Sequence, residues 1–115
     1  MVSIDEEVLT KYLNQIESDD ELKGCKRFVE NFFYTLPEKE PLEYSYANYL
    51  RDILMYSPTN KAINNNRTYL CWAFKDITHS SIEDLVKIEY TLGLGPVAKP
   101  LTDEDIEKYF GQKDD

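Results

Sequence analysis

Apolar residues recur at intervals of three and four along most of the chain, which is the spacing of one face of an α-helix. Ser3 and Glu6 have the spacing of a capping box, in which two side chains bond reciprocally to backbone N–H groups at a helix start. The pattern predicts a first helix over about residues 3–17. Its apolar stripe consists of Ile4, Val8, Leu9, Tyr12, Leu13 and Ile16.

A second stripe with the same spacing predicts a helix over about residues 19–35. Ser18 and Glu21 repeat the capping-box pattern, whereas Gly24 weakens the start of the helix by about 1 kcal/mol. Pro37 ends the helix, because the residue before a proline is disfavoured in the α conformation. The stripe consists of Leu22, Cys25, Phe28, Val29, Phe32, Phe33 and Leu36.

The third stripe lies between two segments that contain proline. The charged sequence PEKEP at 37–41 is a turn, and Ser57 and Pro58 follow the end of the stripe. These boundaries predict a third helix over about residues 42–56. Its apolar face consists of Leu42, Tyr46, Tyr49, Leu50, Ile53 and Leu54.

The segment Asn64–His79, NNNRTYLCWAFKDITH, contains the only Trp, the only His and one of the two Cys of the chain. As a strand it would have apolar residues on both faces, and the chain offers no second convincing strand to pair with it. A helix that begins near residue 65, capped by Asn65 or Asn66, places its apolar residues on one stripe. We therefore predict a helix here and a loop in the preceding TNKAINNN. The stripe consists of Leu70, Cys71, Phe74 and Ile77.

In this helix the unusual residues become packing residues rather than reactive ones. Trp72 is expected to be a large, partly buried anchor, and His79 is expected to end the helix, where the dipole favours a cation. The charged residues of the segment fall mostly away from the apolar stripe. They are Arg67, Lys75 and Asp76.

Ser80 and Ser81 precede a fifth stripe, which Glu89 interrupts, and Gly93 supplies a C-cap. This pattern predicts a fifth helix over about 81–92, with the stripe Ile82, Leu85, Val86 and Leu92. After an irregular connection, a short sixth helix is predicted from Thr102 to Gly111. The chain is thus expected to be all-α, a single-domain bundle of about five to six helices over 1–111 with a frayed acidic tail at 112–115.

The chain of 115 residues is strongly acidic, with 22 acidic and 13 basic residues and a formal net charge of −9. This charge repels phosphate backbones and anionic lipid, so direct binding to nucleic acid or to a membrane surface is disfavoured. No apolar run approaches the roughly 20 residues that span a bilayer. The N-terminus has no basic leader followed by an apolar region. We therefore expect a cytoplasmic protein with reduced cysteines.

No motif points to catalysis, a cofactor or a metal. His79 is the only histidine, and on one helix it lies about 12 Å along the axis from Cys71, too far for a hydrogen-bonded dyad. Cys25 lies in an apolar stripe, where thiols are usually inert. Gly93 begins GLGP, which lacks the rest of a phosphate-binding loop. We expect a protein that is not an enzyme and that carries no cofactor.

The remaining function is binding through the surface. The sequence favours a small acidic module that masks a basic protein partner: an immunity protein, an antitoxin or a phage-encoded inhibitor of a nucleic-acid-acting enzyme. The alternative is a structural or adaptor subunit of a larger assembly. The candidate contacts are the acids of the PEKEP turn, the acid and the Tyr at the start of the next helix, and two acids of the last helix. These residues are Glu38, Glu40, Glu43, Tyr44, Asp103 and Asp105.

Overall fold

A computed structural model confirms the predicted all-α class. It describes residues 3–36, 40–56, 60–95 and 104, and these contain five α-helices, one short 3₁₀ helix and no strand. The elements are α1 (Glu6–Ser18), the 3₁₀ helix (Lys23–Cys25), α2 (Lys26–Thr35), α3 (Leu42–Tyr56), α4 (Asn60–Thr78) and α5 (Ile82–Thr91).

The start of α1 is set by Asp5, so the predicted Ser3 cap was wrong. The Asp5 carboxylate accepts a hydrogen bond from the backbone N–H of Val8 at 3.1 Å. The backbone N–H of Asp5 donates to the carbonyl of Ile77 near the end of α4, at 2.7 Å. This contact between distant parts of the chain holds Asp5 in an extended conformation. The helix therefore begins after Asp5.

The second predicted helix, 19–35, is divided in the structure. The Asp19 carboxylate accepts hydrogen bonds from the N–H groups of Glu21, at 2.8 Å, and Leu22, at 3.2 Å. Such local bonds between a side chain and the backbone compete with the helix. A turn and the 3₁₀ helix, which contains Gly24, therefore come before α2.

Helix α3 has the predicted bounds, but α4 begins earlier than predicted. The expected loop included residues 60–64, which are helical, and the predicted caps Asn65 and Asn66 lie inside α4. Asn66 is buried, and its amide nitrogen lies 3.8 Å from the Cys25 sulfur. Tertiary packing of this kind supplies most of the stability of helices in proteins, so it overrides the low helix propensity of Asn.

Helix α4 supplies much of the core, as predicted for Asn64–His79. The predicted stripe is buried, and the ring of Phe74 lies 5.0 Å from that of Tyr46 and 5.1 Å from that of Tyr49, between centroids. Trp72 is partly buried, as expected: it is 43% exposed, with the Lys75 ammonium group 5.0 Å from its ring centroid. The segment therefore fills the core mainly with residues other than its Trp.

Helix α5 has both of its predicted end signals. The Ser81 hydroxyl accepts a hydrogen bond from the N–H of Asp84 at 3.1 Å. At the other end, Gly93 has φ 80°, and the N–H of Leu94 donates to the carbonyl of Glu89 at 2.9 Å. This is a Schellman ending. Of the predicted sixth helix, only Glu104 lies within the described residues, and the predicted tail at 112–115 lies outside them.

The helices pack so that α3 contacts α2, α4 and α5, while α1 contacts α2 and α4. The core residues of all five helices form one cluster. Among the residues that the structure describes, no helix has both the length and the apolar content needed to cross a lipid bilayer. The fold thus places the first half of α3 beside α5 at the surface.

Candidate protein-interaction site

A groove of about 500 Å³ lies between the first half of α3 and the adjacent side of α5. Its volume falls in the range of roughly 300–1,000 Å³ that is typical of clefts that bind ligands. The lining residues on the α5 side are spaced three and four positions apart, as expected for one side of a helix. The lining residues are Leu42, Glu43, Tyr44 and Ala47 from the α3 side and Asp84, Lys87, Ile88, Thr91 and Leu92 from the α5 side.

The base of the groove is anchored to the core, whereas two of its apolar side chains are open to solvent. Leu42 and Ile88 are half-buried and pack against the core cluster. Tyr44 is 66% exposed and Leu92 is 41% exposed. A Tyr side chain offers a large apolar ring with few rotatable bonds, so it loses little conformational entropy in a contact. The groove thus joins a rigid base to exposed contact area.

Two carboxylates and one ammonium group border the groove. Glu43 lies in the first turn of α3 and Asp84 in the first turn of α5, where the helix dipole favours negative charge. The bond from the Asp84 N–H to Ser81 fixes the start of α5. Lys87 supplies the one positive charge among the lining residues. The groove has a formal charge of −1 from these three groups.

Of the six residues predicted to contact a partner, Glu43 and Tyr44 line this groove. Glu40 is half-buried, and its carboxylate accepts a hydrogen bond from the Asn48 amide at 3.2 Å, so it is tied to α3 rather than projecting from the turn. The other three lie outside the described residues: Glu38, Asp103 and Asp105.

The α5 side of the groove was missed by sequence reasoning. Leu92 was assigned to the buried stripe, which is wrong: α5 ends at Thr91, and the side chain of Leu92 lies at the groove instead. Ile88 and Leu92, at i+3 and i+7 from Leu85, were the available signal. This spacing extends the apolar face of α5, but it does not show which helix lies beside that face.

A buried ion pair fixes α5 to α4, and thereby fixes one wall of the groove. Arg67 and Glu89 are both buried, with the Arg67 Nη2 atom 2.5 Å from a Glu89 carboxylate oxygen. The same nitrogen donates to the carbonyl of Gly95 at 2.9 Å. The expectation that Arg67 would lie away from the apolar stripe was therefore wrong. Glu89, which interrupts the stripe of α5, is its partner.

A second cleft, between α1 and α4, is polar and its groups are engaged with one another. The Tyr12 hydroxyl donates a short hydrogen bond to the carboxylate of Asp76, and the Lys75 ammonium group lies 2.9 Å from the same carboxylate. Burial and the Asp76 carboxylate raise the pKa of Tyr12. His79 Nε2 lies 2.7 Å from Asp5. These pairs join the α1 region to the end of α4, so the cleft is a contact between two parts of the fold.

The two cysteines are buried and free of disulfide bonds. Burial raises the pKa of the Cys71 thiol to about 12 and also raises the pKa of Cys25. His79, by contrast, is exposed and contacts Asp5. Among the described residues, no group of three or more His, Cys, Asp and Glu side chains is arranged to hold a metal ion. The geometry offers no activated thiol.

No protein-family model, curated protein or solved structure matches this chain. Among the residues that the structure describes, the α3/α5 groove combines concavity, exposed apolar area and two carboxylates.

Proposed function

We propose that the protein is a small acidic binding module that masks the basic surface of a protein partner. An immunity protein, an antitoxin or a phage-encoded inhibitor of a nucleic-acid-acting enzyme would act in this way. The observation that carries the proposal is the α3/α5 groove, which brings exposed Tyr44 and Leu92 together with Glu43 and Asp84 in a chain of net charge −9.

The charge supports a basic partner for electrostatic reasons. A protein surface that holds phosphates carries clustered Lys and Arg side chains, so its potential is positive. A chain of net charge −9 is attracted to such a surface over distances of about one Debye length, roughly 8 Å at physiological salt. Carboxylates such as Glu43 and Asp84 then meet the cations, while Tyr44 supplies the apolar area that excludes water.

A second candidate function is a structural or adaptor subunit of a larger assembly. It is favoured by large apolar side chains that are exposed on several helices outside the groove. A subunit that contacts more than one neighbour would bury apolar residues on more than one face. These side chains are Tyr34 on α2, Met55 on α3, Trp72 on α4 and Tyr90 on α5.

Ionic strength separates the two candidates. Once a partner is captured from cells that make the protein, its association rate constant is measured at low and high salt. For the masking module we expect the rate constant to fall at least about tenfold from 0.05 to 0.5 M salt, where screening removes the steering. A rate constant that is unchanged by salt would contradict masking and support the subunit.

Two variants that change the net charge equally control this measurement. Asp84→Asn removes a carboxylate at the groove, whereas Glu83→Gln removes an exposed acid from the same helical turn outside the groove. Both change the net charge by one and both weaken the same interaction with the helix dipole. We expect Asp84→Asn to reduce the salt dependence of the rate more than Glu83→Gln does.

A further inference from the structure

The α3/α5 groove has room for a large inserted side chain and an apolar base on which it can pack. Ala47 is half-buried in its lining and has no side chain beyond Cβ, so a partner atom can approach α3 closely there. Leu42 and Ile88, packed on the core, form a base that does not need to rearrange. A preformed apolar base of this kind favours binding, because little is lost in ordering it.

The charges beside this base identify what accompanies the inserted side chain. Glu43 and Asp84 border the same groove from opposite helices, and Lys87 is the one lining cation. A residue with positive charge next to the apolar anchor is attracted to the two carboxylates, while an acidic neighbour is repelled.

The overall charge also selects among possible occupants. A second copy of the chain would bring another −9 to the interface, so self-association through the groove is opposed by repulsion. An anionic lipid surface is disfavoured for the same reason. A basic segment of another protein is the occupant for which charge and apolar area act in the same direction.

We infer that the α3/α5 groove binds an amphipathic basic segment of a protein partner, with one large apolar side chain inserted beside Tyr44 and Leu92 and an adjacent Lys or Arg at Glu43 and Asp84. This inference rests on the proposed function and specifies how the basic partner is recognised. This mode of recognition differs from masking by charge alone. In it, the inserted apolar side chain contributes as much to binding as the cations do.

Three synthetic peptides of equal length test the inference: one of Lys and Leu, one of Lys and Ser, and one of Glu and Leu. Each is titrated into ¹⁵N-labelled protein while amide chemical shifts are followed. We expect the Lys–Leu peptide to shift groove amides of α3 and α5. We expect the Lys–Ser peptide to bind at least about tenfold more weakly, because it lacks the apolar anchor. The Glu–Leu peptide should not bind.

A matched pair of aromatic variants locates the site. Tyr44→Ala removes a groove residue that is 66% exposed, whereas Tyr90→Ala removes a residue on α5 that is 62% exposed and lies outside the groove. We expect Tyr44→Ala to weaken binding of the Lys–Leu peptide at least about fivefold and Tyr90→Ala to leave it unchanged. Unaltered amide shifts elsewhere in each variant show that it is folded.

The other outcomes distinguish the groove from the broader proposal. Shifts that lie outside the groove, or equal binding by the Lys–Leu and Lys–Ser peptides, would overturn the inference and leave the acidic binding module intact. Equal binding by the Lys–Leu and Glu–Leu peptides, or no binding by either Lys peptide, would overturn both. Groove shifts that grow with protein concentration alone would identify a second copy as the occupant and overturn the inference.

Discussion

Replacing Glu89 with Ala is expected to lower the free energy of unfolding by about 3–5 kcal/mol, which is the usual cost of removing one member of a buried ion pair. Arg67 and Glu89 are both buried, and their charged atoms lie 2.5 Å apart. Without Glu89, the buried Arg67 guanidinium would lose the carboxylate that lies against it. A loss of this size is a large fraction of the roughly 5–15 kcal/mol that stabilises a typical domain.

Urea denaturation followed by circular dichroism measures this loss, with Glu17→Ala as the control. Glu17 and Lys26 form an ion pair at 3.0 Å on the surface, and such pairs contribute no more than about 1 kcal/mol. The double variant Arg67→Met/Glu89→Leu should lose less than Glu89→Ala, because it removes both charges together. Equal stability of Glu89→Ala and Glu17→Ala would show that the pair is not buried in solution.

Phe74→Ala is expected to lower the free energy of unfolding by about 3–5 kcal/mol, the range for large aromatic residues in cores. The Phe74 ring is fully buried against Tyr46 and Tyr49. Trp72→Ala, two residues away on the same helix, should cost less than Phe74→Ala, because Trp72 is 43% exposed whereas Phe74 is fully buried.

The same denaturation experiment compares these two variants directly. Both replace an aromatic residue of α4 with Ala, so the change in helix propensity is similar and the difference reports burial. If Trp72→Ala cost more than Phe74→Ala, α4 would have a different face toward the core.

The fold could be predicted from the sequence because its signals are local. Stripes at helical spacing and the prolines at 41 and 58 gave the bounds of α3 without error, and Ser81 and Gly93 marked the two ends of α5. The start of α1 could not be predicted in this way. Asp5 is held there by the carbonyl of Ile77, which lies far away in the chain.

The early start of α4 was missed for a related reason. Asn66 ends the Asn-rich stretch TNKAINNN, for which propensity alone predicts a loop. In the fold, Asn66 lies against Cys25 and Arg67 pairs with Glu89. The interruption of the α5 stripe by Glu89 was a visible sign that a buried cation was needed, but the sequence did not show which one.

Two residues of the candidate site, Glu43 and Tyr44, could be predicted because their signal is local. Glu43 and Tyr44 are adjacent in the chain, so an acid beside an aromatic residue could be recognised without knowing the fold. Asp84 and Leu92 join them only through the packing of α5 on α3. A groove between helices depends on which helices are neighbours, and the spacing of residues within one helix does not contain that information.

Competition with nucleic acid is the most direct test of whether this protein masks a basic surface. The captured partner is mixed with a labelled duplex, and fluorescence anisotropy follows the duplex with and without an equimolar amount of the protein. We expect the protein to weaken the binding of the duplex at least about tenfold, since two polyanionic partners compete for one positive surface. If the duplex stays bound and a ternary complex forms, the protein does not mask that surface.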